Sequence, residues 1–172
     1  MADAGRTIDD GQAPPPGTRH RLSMLALDPA SVKRGNVNIE HEREVAIFDI
    51  LEANEFEMLG RNEGPYGLVV GVQDDRLVFS VSPAAGGDST IIQIALMPLR
   101  RVMKDYFLVC ETYFDAIRTA PPSRIQQIDV GRRALHDEGA KALTERLADR
   151  IRLDATTARR LFTLICALHW RG

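Results

Sequence analysis

What this sequence lacks are the signals for export, for membrane crossing and for the commoner cofactors. The first ten residues, MADAGRTIDD, hold no apolar run of the kind a signal peptide needs, and no stretch approaches 18 uncharged apolar residues. A cytoplasmic location is the expectation, with no membrane partner. Only two cysteines occur in 172 residues, too few for a disulfide framework. Both Cys110 and Cys166 lie inside apolar helical patterns, where a free, buried thiol is expected. No phosphate-binding loop and no G-x-G-x-x-G is present, and no cysteine pair has zinc spacing. The run Glu40-His41-Glu42-Arg43-Glu44 offers ligand types without the H-E-x-x-H spacing. Neither a cofactor nor a metal is expected.

What is present suits an ordinary globular chain: 44% hydrophobic and 27% charged residues, enough to bury a core without staples. The net charge of -2 hides a polarity, because residues 1–97 balance at -7 and residues 98–172 at +5. Such a distribution steers an anionic partner toward the C-terminal half, or draws the two halves of one domain together.

Residues 1–18, with Pro14-Pro15-Pro16-Gly17 and almost no large apolar side chains, read as a disordered tail. Residues 19–172 read as a single α+β domain, with a sheet-rich half to 97 and a helical half from 98. The run RHRLSMLALD is strand-like and ends at the turn signal Asp28-Pro29. Asn36 or Asn38 then caps a helix to about Asn54, with Val45, Phe48 and Leu51 as its inner stripe and Ile47 and Ile50 widening it. EFEML reads as a short strand. GLVVGVQ and RLVFSVS are separated only by Asp74-Asp75, so a two-residue hairpin pairs Val72 with Leu77, Val70 with Phe79 and Leu68 with Val81. TIIQIAL adds a strand with Ile92, Ile94 and Leu96 on one face. The expected sheet has about five strands and is largely antiparallel.

After Pro98 the apolar period changes from 2 to 3.6. Leu99, Val102, Met103, Tyr106, Cys110, Tyr113, Phe114 and Ile117 stripe a helix that should cover the sheet, and Thr119-Ala120-Pro121-Pro122 stops it. Ile125, Ile128 and Leu135 line the next helix. Leu143, Leu147 and Ile151 line a further one, separate or continuous through Gly139. Asp154 caps the last, for an expected four-helix C-terminal portion.

Two groups of side chains stand out. Arg100, Arg101 and Lys104 occupy the first turns of a helix, where the macrodipole disfavours cations by roughly 0.3–1 kcal/mol each. They either serve an anion or are neutralised by Asp105 or by the acidic half. The segment Gly131 to Gly139, GRRALHDEG, gathers Arg132, Arg133, His136, Asp137 and Glu138. His136 has the chemistry of a general acid or base near neutral pH, with Arg132 or Arg133 holding an anion. The alternative is a solvated helix face in which Arg133 and Asp137 form an ordinary i,i+4 ion pair. A third pattern, residues 147–161, resembles a helix-turn-helix with Ala148, Leu153 and Leu161 at the apolar positions and Thr156, Thr157, Arg159 and Arg160 displayed. Arg152 stands where glycine is usual, and the mildly acidic chain makes nucleic acid an improbable partner.

Taken in order, EHEREVAIFDIL, GPYGL, LRRVMKDYF, AIRTAPPSRIQQIDVGRRALHDEG and TARRLFTLICALHWRG resemble a family of alphaproteobacterial proteins, uncharacterised protein family 0262. The resemblance spans about residues 19–172 and implies a bacterial cytoplasmic protein folded as one unit. It carries no activity, ligand or catalytic residue to these positions. The residues themselves favour a non-enzymatic binding or regulatory module that contacts a protein or a small anionic ligand through the basic C-terminal half. An enzyme acting on an anionic metabolite through His136 comes second, and DNA binding third.

Overall fold

A computed structural model describes residues 19–169, so the tail expected over 1–18 lies outside the described residues. In chain order the elements are β1 (Leu22–Leu27), α1 (Val37–Glu52), β2 (Phe56–Met58), β3 (Tyr66–Gln73), β4 (Arg76–Pro83), β5 (Thr90–Ala95), α2 (Met97–Thr119), α3 (Pro122–Leu147), β6 (Ile151–Leu153) and α4 (Ala155–His169). The class is α+β, as the sequence implies. Four strands form the main sheet in the order β1-β3-β4-β5.

The β3–β4 hairpin has the expected register, Val72 opposite Leu77, Val70 opposite Phe79 and Leu68 opposite Val81. Asp74 and Asp75 both take positive φ, 49° and 58°, the conformation a tight hairpin turn demands. Ile92, Ile94 and Leu96 all face the core.

The sheet is largely antiparallel, as expected, with two particulars that the sequence did not show. β1 runs parallel to β3, which is possible because α1 supplies the crossover that parallel neighbours require. β2 does not join this sheet; it pairs antiparallel with β6, a strand formed by Ile151-Arg152-Leu153. The helix count differs as well. α3 is continuous through Gly139, so three helices, not four, make up the C-terminal half.

β6 also disposes of the helix-turn-helix: a strand, not a turn, precedes α4. Asp154 does cap α4, its Oδ1 accepting from Thr157 N at 3.1 Å. The displayed face is otherwise engaged internally. Thr157 is buried and its Oγ1 accepts from Glu55 N, Arg159 pairs with Asp137, and Arg160 donates to carbonyls of Asp49 and Ala53. A helix so apolar belongs in the core, and Leu161, Phe162, Leu164, Ile165 and Cys166 put it there.

α1 begins as expected, with Asn36 Oδ1 accepting from Ile39 N. Its buried face, however, is Arg43, Ala46 and Ile50, while Phe48 is 66% exposed and Val45 42%. The rotation follows from Arg43. Arg43 is only 5% exposed, and its guanidinium donates to Ala167 O (3.2 Å), Lys33 O (3.0 Å) and Glu40 Oε1 (3.0 Å). These bonds exchange caps between two helices: Arg43 of α1 reaches a last-turn carbonyl of α4, and Arg160 of α4 reaches the last-turn carbonyls of α1. Cations are favoured at both of these negative helix ends. Asn54 then ties the end of α1 to β1, accepting from Leu22 N at 2.7 Å and donating to Leu22 O at 3.1 Å.

One hydrophobic cluster contains side chains of both halves, from Leu22, Leu68 and Phe79 to Leu99, Leu143 and Phe162. Only the first turns of α2 enter it, through Leu99, Val102 and Met103. Beyond them α2 lies along α3 rather than over the sheet, and Phe114 and Ile117 remain exposed.

Candidate functional site

Two prolines start α3 and reverse the chain, so α2 and α3 run side by side and the tyrosines of one face the charged segment of the other. The cluster divides there. Arg132 turns inward: its Nε and Nη2 donate to Asp129 Oδ1 at 3.0 and 2.7 Å, and its guanidinium lies 5.3 Å from the centre of the Tyr113 ring. Arg133 turns outward, 72% exposed, and bonds the other oxygen of the same carboxylate. The expected Arg133–Asp137 pair is therefore replaced by Arg133–Asp129, and Asp137 pairs with Arg159 of α4 at 2.8 Å. Glu138 is exposed on the outer side of α3. Hydrogen bonds from Arg132 and Arg133 hold the Asp129 carboxyl below its usual range. Desolvation pulls the Arg132 guanidinium down, but the bonds and charge of Asp129 outweigh it and the net shift is upward.

His136 is packed inside the helix layer. Its ring stacks on Tyr106 (5.5 Å between centres) and meets Phe162 at 5.8 Å. The Thr163 hydroxyl gives its single proton to Arg159 O (3.1 Å), so its oxygen accepts from His136 Nε2 at 2.7 Å. Burial lowers the histidine's pKa from the usual 6.5, which favours the neutral ring. It fills and orders the α3–α4 contact.

Beside Arg132 opens a cleft of about 630 Å³, walled by Tyr106, Phe107, Cys110, Tyr113 and Phe114 of α2. Thr163, Cys166 and Ala167 of α4 form its floor, and Asn38, Ile39 and Glu42 of α1 its far side. Half of the apolar stripe expected on α2 thus lines a cavity instead of covering the sheet. Both cysteines are free thiols and both border the cleft. Burial pushes each of them up, so neither is poised as a thiolate nucleophile. Burial likewise raises the Tyr106 phenol.

The other expected basic group does not converge on this place. Arg100 bonds Asp75 in the hairpin turn, so the acidic half does neutralise it. Arg101 and Lys104 are exposed, and no ion pair to either occurs among the described residues. Thirteen residues of helix, about 20 Å, separate Arg100 from Tyr113. Sequence reasoning missed Asp129 and Arg43. Asp129 was legible as the i,i+3 and i,i+4 neighbour of Arg132 and Arg133.

Fold and cleft together define a small α+β protein with a helix-walled pocket and one inward arginine. The chain belongs to the uncharacterised protein family UPF0262, whose model matches residues 19–171. Among its relatives, a UPF0262 protein of Azorhizobium caulinodans is 52% identical over 163 residues, 94% of this chain and 99% of the relative. One of Rhizobium etli is 51% identical over 152 residues, covering 88% and 96%. One of Methylobacterium radiotolerans is 50% identical over 153 residues, covering 89% and 95%. No solved structure matches the chain. No helix among the described residues is long and apolar enough to cross a membrane.

Proposed function

We propose that this protein is a non-enzymatic binding module that takes a small anionic ligand with an apolar body in the cleft between α1, α2 and α4. The observation that carries the reading is Arg132, a guanidinium held over an aromatic ring at the edge of a cavity walled mainly by aromatic and aliphatic side chains, with Glu42 and Asn38 on its α1 side. Asp129 is shared by two arginines, so this side of the cleft keeps a net charge of about +1 when the three groups are counted together. The volume falls within the range of small-ligand sites, and aromatic walls with a single fixed cation suit a monoanionic carboxylate better than a phosphate. A catalytic His136 gains no support from its packing, since its ring is stacked between Tyr106 and Phe162 and its Nε2 is engaged by Thr163. The reading includes a cytoplasmic location, which the two free thiols favour.

The test is thermal unfolding with 3-phenylpropionate, octanoate and inorganic phosphate, in the wild type and in Arg132→Gln. At a hundred times Kd a ligand stabilises by about 2.7 kcal/mol, or roughly 5–10 °C in Tm at this size. A saturable rise with the carboxylates, absent from Arg132→Gln, is expected. No shift at millimolar carboxylate refutes the proposal.

A further inference from the structure

The cleft has two charged sides. Arg132 and its partners stand on the α3 side, with one carboxylate for two guanidiniums. Glu42 and Asn38, one turn apart on α1, border the opposite side. Neither side chain has a hydrogen bond or ion pair among the described residues, whereas nearby Glu40 is engaged by Arg43 and by Gly35 N. The space between is apolar: Ile39, Phe107, Phe114 and the two thiols.

Building on the anion site proposed above, we propose that the natural ligand is a small amphipathic zwitterion. Its carboxylate meets Arg132, its apolar body lies along Tyr113, Phe107 and Phe114, and its ammonium faces Glu42 and Asn38. Each alternative leaves one wall unanswered. A dianion meets repulsion from Glu42, a plain amine meets repulsion from Arg132, and a neutral apolar molecule displaces water from both charges while answering neither. Selectivity for the amine is modest, because Glu42 is exposed and an exposed ion pair changes affinity by roughly two- to fivefold.

The experiment is calorimetric titration of the full chain at low salt with two matched pairs: phenylalanine against 3-phenylpropionate, and 8-aminooctanoate against octanoate. The pairs present the amine at short and long distances from the carboxylate. In the wild type at least one amino compound is expected to bind two- to fivefold tighter than its counterpart. Glu42→Gln should erase that preference by weakening the amino compound relative to its amine-free counterpart, with the Tm unchanged. Arg132→Gln should weaken all binding. If both amine-free acids bind as well as or better than their partners, the zwitterion is refuted while the anion site stands. If none of the four compounds binds, both proposals fall together.

Discussion

Replacing Gly139 by alanine separates two opposing effects on one helix. Alanine is the better helix former by about 1 kcal/mol, so α3 taken alone gains. The position nevertheless lies hard against the Phe162 ring of α4. A Cβ built there would lie 2.2, 2.4 and 2.5 Å from three ring carbons of Phe162. To reach ordinary contact the ring must withdraw by about 1.2 Å. Phe162 is fully buried and its ring also meets Tyr106 and His136, so it has no free direction in which to move. Overpacking of this kind costs typically 1–3 kcal/mol, and the displacement required places this case near the upper figure. The net expectation is a loss of about 2 kcal/mol, which lowers Tm by roughly 4–8 °C. Gly131 is the control. It sits in the same helix with nothing within 4 Å of its built Cβ, so Gly131→Ala should raise stability by up to about 1 kcal/mol. Scanning calorimetry or urea unfolding of the two single variants decides the matter. Phe162→Leu in the Gly139→Ala background should recover part of the loss, with a coupling energy of about 1 kcal/mol in a double-mutant cycle. A Gly139→Ala protein as stable as Gly131→Ala would refute the close approach and the α3–α4 packing built on it.

Further outcomes follow from other side chains. Because burial lowers the folded-state pKa of His136, the unfolded chain binds the proton more readily. Stability should therefore be undiminished above about pH 6.5 and fall as pH drops through that value, levelling off below the folded pKa, and His136→Phe should remove that share of the acid sensitivity in urea unfolding at pH 5 and 7.5. Arg43→Met should lose about 3 kcal/mol or more, since Ala167 O and Lys33 O are left without this donor and Glu40 without its ion-pair partner; a loss below 1 kcal/mol would show that the buried guanidinium is dispensable. With iodoacetamide at pH 8, half-buried Cys110 should react more slowly than a free thiol and buried Cys166 only on unfolding, followed by mass spectrometry.

The features legible in the sequence are those fixed by local geometry. Two residues between alternating strands leave one register for the β3–β4 hairpin, and the Asn36 and Asp154 caps need only neighbours three residues away. What escaped depends on distant partners. Val45 and Phe48 carry the larger apolar surface, yet α1 turns inward on Arg43 because its acceptors lie in α4 and in the loop before α1. Ile151 reads as the end of the helix of Leu143 and Leu147, and Leu153 as a turn, until Phe56-Glu57-Met58, almost a hundred residues earlier, offers the segment an edge and makes it a strand. At the site, the inward arginine was nameable but its setting was not. The stripe from Tyr106 to Phe114 has the same period whether it meets a sheet or lines a cavity, and only the path of α3 decides between them.

The exchanged arginine caps tie the fates of two helix ends that are far apart along the chain. If the last turn of α4 frays, Arg43 loses an acceptor and α1 loses an anchor of its buried face; if the last turn of α1 frays, Arg160 is released in the same way. Fraying, usually a private event at each terminus, becomes a joint one. Hydrogen exchange at the amides that close these two turns should report a single opening free energy, and either Arg43→Met or Arg160→Met should speed exchange at both ends. The side of the cleft built by α1 and α4 would then open and close as one body.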